Sequence, residues 1–461
     1  MSGPPKTRWI PPALLCVIAL HAQQPAAPLT ITEAVNNALQ NYPSIEVSQE
    51  QINAAAAGIR LARTAYLPRV DALAQANRAT RNNVFGMLLP QSVIPSMSGP
   101  VIGSNNFGTA WGSAVGTLVS WEPFDFGLRR ANVDIATAAR TQSEATLKRT
   151  RYDVAVATAD AYLTLAAAQE TVRAAQAGVD RAQIISRTIH ALVNSELRPG
   201  ADASRADAEL AAAQTQLIQS QQAVDVARAT LAQFAGGDSA GITISAPGLR
   251  QLPPEQTVTT PDTAANPISL EQNAAVEQAK AQVRALERSY FPRFYLQASG
   301  YARGTGAETN GDILGGLNGL APNVQNYALG FTVTFPVLDL ASIQAREAAQ
   351  QATVRAQTAR YRQIAVDLRA EWNRAVAALQ GARKVAANTP VQVTAARAAV
   401  EQATARYQSG LGNIDEVAEA ERLLTQAEID DALARLDVWR GLLGIATAAG
   451  DIQPFLNEAS Q

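Results

Sequence analysis

Residues 128–193 read LRRANVDIATAARTQSEATLKRTRYDVAVATADAYLTLAAAQETVRAAQAGVDRAQIISRTIHALV, 66 residues with no proline and a single glycine, Gly178. Nothing in this stretch breaks a helix, and at about 1.5 Å per residue it makes a rod of roughly 100 Å. No ordinary globular domain buries such a rod. The chain turns at Ser195 to Gly200 and returns as a second stretch, Asp202 to Phe234, free of Gly and Pro until Gly236. Leu163, Val172, Val179 and Ile184 on one arm, and Leu210, Leu217 and Val224 on the other, recur at helical spacing in an Ala-rich background. The pattern predicts a long helical hairpin.

The hairpin occurs twice. Ala341 to Gln408 rises, Gly410 to Gly412 turns, and Ile414 to Ala449 returns. Pro43 faces Pro267, Arg60 faces Arg284, and Tyr66-Leu-Pro-Arg69 faces Tyr290-Phe-Pro-Arg293, all at an offset of 224. Further on, Asp125 faces Asp339, Ser195 faces Ser409, Leu197 faces Leu411 and Gly236 faces Gly450, all at 214. The change of offset, 224 − 214 = 10 residues, places a length difference between Pro68 and Asp125, where a surface loop is expected.

Between the helical parts the period changes to two. Trp111, Ser113, Val115, Thr117, Val119 and Trp121 alternate with small residues. Phe294, Leu296 and Ala298, and then Tyr327, Leu329, Phe331, Val333 and Phe335, alternate with Gln, Ser, Thr, Gly and Ala. Short alternating segments with an apolar, aromatic-ended face are the mark of transmembrane β-barrel strands. Four strands per chain do not close a barrel, and a bilayer tolerates no open sheet edge, so oligomerisation is expected. A dimer gives eight strands and a trimer twelve.

The first 22 residues read as a secretory signal, with Lys6 and Arg8 before an apolar core and Leu20-His21-Ala22 as the cleavage site. Cys16, preceded by Leu15, is a passive member of that core. Beyond the signal there is no cysteine and one histidine, His190, which excludes thiol nucleophiles, disulfides and Cys/His zinc sites. The glycines at 304–306 and 315–316 precede no helix that would receive a phosphate. A net charge of −2 points to no nucleic acid. The chain is read as a non-enzyme without cofactor or metal.

The domain map follows. Residues 1–22 are signal; 23–67 the N-terminal segment and first helix, with Thr32 as its cap and a break at Pro43; 68–122 strands and loop; and 123–236 the first hairpin. Residues 237–266 are an irregular linker, 267–291 a helix, 292–336 strands and loop, 337–450 the second hairpin and 451–461 a tail packed outside the helices. Pro390 predicts a kink near Val385 to Pro390.

This duplicated order, with Trp121-Glu-Pro-Phe-Asp-Phe-Gly127 echoed by Phe335-Pro-Val-Leu-Asp-Leu340 and with Tyr407-Gln-Ser-Gly-Leu411 at the second turn, resembles the TolC-like outer-membrane efflux duct family over residues 29 to 450. The resemblance implies a mixed α and transmembrane β fold. Its two repeats of long helical hairpin plus two strands would make a trimeric 12-stranded β-barrel, continued by a 12-helix periplasmic α-barrel. It implies a homotrimer embedded in outer-membrane lipid, reaching into the periplasm as the passive exit duct of a tripartite system, with a periplasmic adaptor (membrane fusion) protein and an inner-membrane pump as partners. A type I protein-secretion duct uses the same fold, and a pore-free periplasmic coiled-coil scaffold is the alternative of another class. By the same resemblance Leu197, Leu411 and Gly410 mark adaptor-docking tips. Tyr407 and Asp202 form a tip lock, while Glu416 and Glu419 form an acidic gate and selectivity ring. Glu196 stands where the family has Gly, and the family's basic lock residue falls on Gly412.

Overall fold

The computed structural model describes residues 28–80, 108–255, 259–308 and 312–460. The expected signal and the Met87-Leu-Leu89 patch lie outside them. In order the elements are α1 (Ile31–Asn41), α2 (Pro43–Thr64), β1 (Arg69–Thr80), β2 (Thr109–Phe124), α3 (Leu128–Asn194), α4 (Gly200–Ala235), α5 (Pro267–Arg288), β3 (Arg293–Thr305), β4 (Val324–Thr334), α6 (Leu340–Gln408), α7 (Ile414–Ala449) and α8 (Gln453–Ala459). Among the described residues no helix is long and apolar enough to cross a membrane.

The repeat is kept to the residue. α2 and α5 begin and end 224 apart, and α4 and α7 begin and end 214 apart. Proline at the first helical position starts both α2 and α5, since its missing N–H has no partner there in any case. The ten-residue excess falls in the connection between β1 and β2. Thr30, not Thr32, caps α1. Its hydroxyl accepts from the Glu33 N–H while the Glu33 carboxylate accepts from the Thr30 N–H, a reciprocal box that Thr32 stands two residues too late to make. Thr32 instead meets the Ser460 hydroxyl at 2.6 Å. α6 runs on through Pro390, whose ring nitrogen leaves one carbonyl of the preceding turn without its helical donor.

β1 to β4 form one antiparallel sheet in chain order. Its register sorts side chains by chemistry. One face carries the row Val70, Val119, Ala298 and Leu329, flanked by Trp121, Leu296 and Phe331 and by Tyr327. The opposite face carries Asp71, Leu118, Ser299 and Ala328, with Ser120, Gln297 and Gly330 beside them. Tyr327 is 89 % exposed and Leu329 74 % exposed, whereas Gln297 and Ser299 are buried. This inverts the arrangement of a water-soluble sheet. The outer strands β1 and β4 each leave one edge unpaired within the chain.

Where the sheet meets the helices, Asp125 is buried and accepts from the Gly127 and Arg129 N–H groups and from the Arg129 side chain at 2.9 Å. Burial works against its charge, but these bonds prevail and hold the carboxyl below its ordinary range. Arg129 also lies over the Tyr66 ring, 4.9 Å from its centre. The bend uses left-handed backbone at Phe126 and Gly127. In the second repeat Asp339 makes no such cap.

The helical part is thickened at mid-height. There α1, the linker and α8 wrap α3, α4, α6 and α7 around a core that includes Val35, Tyr162, Leu163, Leu231, Leu249, Trp439, Leu443 and Phe455. The Tyr162 hydroxyl lies within hydrogen-bond distance of the Leu29 and Ser245 carbonyls, and Trp439 donates to the Gln251 carbonyl at 3.0 Å. The linker therefore carries structure, with Leu29 and Ile244 bridged in parallel. The tail is likewise docked, through buried Phe455 and Leu456.

Candidate functional site

Both hairpins turn by the same device. After α3, Ser195 donates to the Ala191 carbonyl, Glu196 takes a left-handed conformation and Leu197 donates to the Leu192 carbonyl at 2.9 Å. After α6, Ser409, Gly410 and Leu411 repeat these steps, with Leu411 donating to Arg406 at 2.9 Å. These are paired Schellman closures, which satisfy the last carbonyls of each long helix. They push Leu197 and Leu411 outward, 68 % and 72 % exposed.

Past the turns the two tips diverge. α7 is capped by the Asn413 side chain, which accepts from the Glu416 N–H at 2.9 Å. α4 starts from Pro199 and Gly200 with no side-chain cap, although Asp202 stands in its first turn. What joins the tips is Tyr407. Its ring is buried in a cluster supplied by all four long helices, Ile189 from α3, Ala203 and Ala206 from α4, and Ile414 and Val417 from α7. Its hydroxyl donates to Asp202 Oδ2 at 2.8 Å. Burial first, and then that bond to a carboxylate, push the phenol up to about 12.

A third residue completes this contact, and the sequence reading missed it. The Arg198 guanidinium lies 4.3 Å from the centre of the Tyr407 ring and donates to the Tyr407 carbonyl. Gly412 lacks the side chain that the resemblance calls for, and the cation arrives from the opposite hairpin. The available signal was the repeat itself, which sets Arg198 opposite Gly412 at the offset of 214.

Glu416 and Glu419 project from one side of α7, and neither stands alone. Glu416 is 3.5 Å from Arg406, and Glu419 is 3.1 Å from Arg422, which also approaches Glu209 of α4 at 3.7 Å. Arg205 bridges the hairpins at this level, 3.1 Å from Glu209 and 3.4 Å from Asp415. His190 ties α3 to α4, with Nε2 2.9 Å from Asp207 Oδ1, and Ser186 donates to the same oxygen. Among the described residues no group of three or more His, Cys, Asp or Glu is placed to hold a metal ion. The site offers hydrogen bonds, ion pairs and exposed leucines.

The model of the outer membrane efflux protein family matches residues 34–237 and 264–451. Solved structures share the fold at low identity. The outer-membrane channel OprN is 22 % identical with a TM-score of 0.69, over 91 % of this chain and 89 % of that one. The outer membrane protein VceC of Vibrio cholerae is 19 % identical with a TM-score of 0.70, over 91 % and 96 %. The MtrE channel of Neisseria gonorrhoeae, solved in an open state, is 19 % identical with a TM-score of 0.67, over 91 % and 89 %. No curated protein sequence matches the chain.

Proposed function

Since the chain belongs to the outer membrane efflux protein family and is an exit duct of the outer membrane, we propose that it works as a homotrimer. Three four-stranded sheets close a 12-stranded barrel, and three pairs of hairpins continue it as a 12-helix tube through the periplasm. The observation that carries this reading is the sheet, apolar on one face, polar on the other, and open at both edges. In a bilayer an open edge strands backbone N–H and C=O groups at several kcal/mol each, so β4 of one copy must pair with β1 of the next.

Small molecules enter at the tips, where Leu197 and Leu411, set outward by Glu196 and Gly410, dock a periplasmic adaptor that links the tube to an inner-membrane pump. Tyr407, Asp202 and Arg198 hold the tip constricted. Glu416 and Glu419 line the constriction as rings of acids, which favour cations. The wall needs no catalytic group, because passage is driven from the pump.

The test is assembly and conduction. Extracted membranes should yield a species that resists alkaline washing, runs as a trimer on unheated gels, collapses to 48.6 kDa or less on boiling, and forms discrete channels in planar bilayers. A protein released at alkaline pH, or one that is monomeric and non-conducting, overturns the proposal.

A further inference from the structure

The one glycine of α3 has a neighbour that explains it. Gly178 faces Thr425 of α7 so closely that a Cβ there would sit 2.9 Å from the threonine hydroxyl. One turn on, Arg181 crosses the same seam. Its Nε lies 2.9 Å from Glu421 Oε2, and one terminal nitrogen donates to Thr425 Oγ1 at 2.9 Å and stands 3.0 Å from Glu428 Oε2. Residues 421, 425 and 428 lie on one face of α7, and 178 and 181 on one face of α3. Arg397 of α6 reaches Glu428 from the other side at 3.7 Å. The three central side chains are 24 %, 15 % and 20 % exposed, so the cluster is largely withdrawn from water.

Such a cluster is a poor way to glue two helices permanently. Desolvating charges consumes most of what their attraction returns, and an apolar seam of the same volume does as well or better. The chain uses that apolar solution elsewhere. Leu163, Trp439 and Leu443 fill the core at mid-height, and Leu424 with Ala396 and Ala427 joins α6 to α7 beside the cluster. At the level of Gly178 the contact between the two hairpins is made by ions instead. Next to them a cavity of about 350 Å³ opens between α3, α4 and α7, bordered by Gly178, Glu209, Ile414, Val417, Glu421 and Thr425. It leaves room for α3 and α7 to part.

We propose that Arg181, with Glu421, Thr425 and Glu428, is a second latch between the two hairpins of one chain, ~16 Å above the turn along α7, released when the duct opens. This rests on the exit-duct reading, in which the hairpins separate at their tips. Opening then requires two steps, release of Tyr407 at the tip and release of Arg181 above it. Arg181 acts as a positioning residue. Its fork joins two carboxylates and a hydroxyl at once, which a lysine ammonium on its flexible stem does not reproduce.

The test uses the full trimer in planar bilayers. Arg181→Ala should raise mean conductance, Tyr407→Phe should do the same, and the double variant should exceed either by several-fold. Arg181→Lys should lie between wild type and Arg181→Ala. A redox arm controls for a merely structural role. A Cβ at position 178 would lie 3.6 Å from that of Thr425, within the ~3.5–4.5 Å of a disulfide. In a Cys16→Ser background, Gly178→Cys with Thr425→Cys, oxidised chemically, should hold conductance at the closed level even when Tyr407→Phe is added, and a reductant should restore it. If Tyr407→Phe opens the channel while Arg181→Ala matches wild type, and the oxidised and reduced cysteine pair conduct equally, the latch is overturned and the exit-duct reading stands. If wild type forms neither trimer nor channel, the exit-duct reading falls and the latch with it.

Discussion

Glu196 and Gly410 occupy the same left-handed position, 214 residues apart, at φ of 58° and 78°. Gly410 accepts this conformation freely, whereas Glu196 holds its Cβ against the following carbonyl. Glu196→Gly should therefore stabilise the first tip by up to ~1 kcal/mol, and Gly410→Ala should destabilise the second by a similar amount. Limited proteolysis of the assembled protein at the two turns reads both effects, as slower cutting in the first variant and faster in the second.

Tyr407→Phe deletes the 2.8 Å bond to Asp202 while keeping the ring and its apolar cluster. A bond of this kind to a charged acceptor contributes about 1.5–3 kcal/mol to the closed tip. Single-channel conductance should rise. Arg198→Ala should also raise it, since a partly desolvated cation over a ring contributes about 0.5–2 kcal/mol. Because the phenol is pushed up to about 12, it stays a donor at any pH the protein meets, and the Tyr407 contribution should be flat between neutral and mildly alkaline pH.

In the proposed acidic ring, each carboxylate has a basic partner. Arg406 and Arg422 stand beside Glu416 and Glu419, so the field at this level is weaker than six bare carboxylates in a trimer would give. Glu416→Ala with Glu419→Ala should lower cation selectivity and abolish block by multivalent cations. The Asn413 cap survives, since it uses the Glu416 backbone. Reversal potentials in a salt gradient give the answer.

Leu197→Ser with Leu411→Ser removes two exposed side chains whose backbone turns are held by main-chain bonds alone. Trimer yield and conductance in bilayers should match wild type, while export in cells and crosslinking to the adaptor fall. Unaltered export would remove the docking role.

The latch gives a pH dependence whose sign is set by Glu421. Burial first, and then the nearby Glu428, raise its pKa above the ordinary 4.5, against the pull of Arg181. Glu209, Arg422 and Arg397 complete the charges around the cluster. A carboxyl whose pKa is raised in the closed state binds its proton more tightly there than in an opened, hydrated state. Acidification through the window above 4.5 should therefore favour closure, and rising pH should favour opening. Open probability measured against pH reports this, and Glu421→Gln should flatten the curve.

The helices were legible because glycine and proline punctuate them. Pro43, Pro267, Gly236 and Gly450 mark ends that the structure keeps to the residue. β2, β3 and β4 were legible from aromatic alternation. β1 was harder, because its outward side chains, apart from Val70, are largely alanines that carry little periodic signal. The cap at Thr30 was displaced to Thr32 because either threonine precedes an apolar stripe, and only the position of Glu33 three residues on decides. At the tips, the Tyr407 and Asp202 contact was reachable through the family resemblance, with the repeat offset bringing Asp202 opposite the matching acid. Arg198 over Tyr407 and Arg181 between Glu421 and Glu428 join residues more than 200 apart, and no local pattern encodes them. The solitary Gly178 was a trace of the second, readable only once Thr425 was seen beside it.

The unpaired edges of β1 and β4 carry a genetic consequence. In the proposed trimer a single copy is an incomplete object in lipid, and each copy offers one sound edge to the left and one to the right. A subunit with proline placed in the middle of β4 would still present β1 and be recruited, yet would leave the ring unsealed. Co-expressed with the intact gene in equal amounts, it would spoil every assembly that includes it, so the defect would behave as dominant negative rather than recessive.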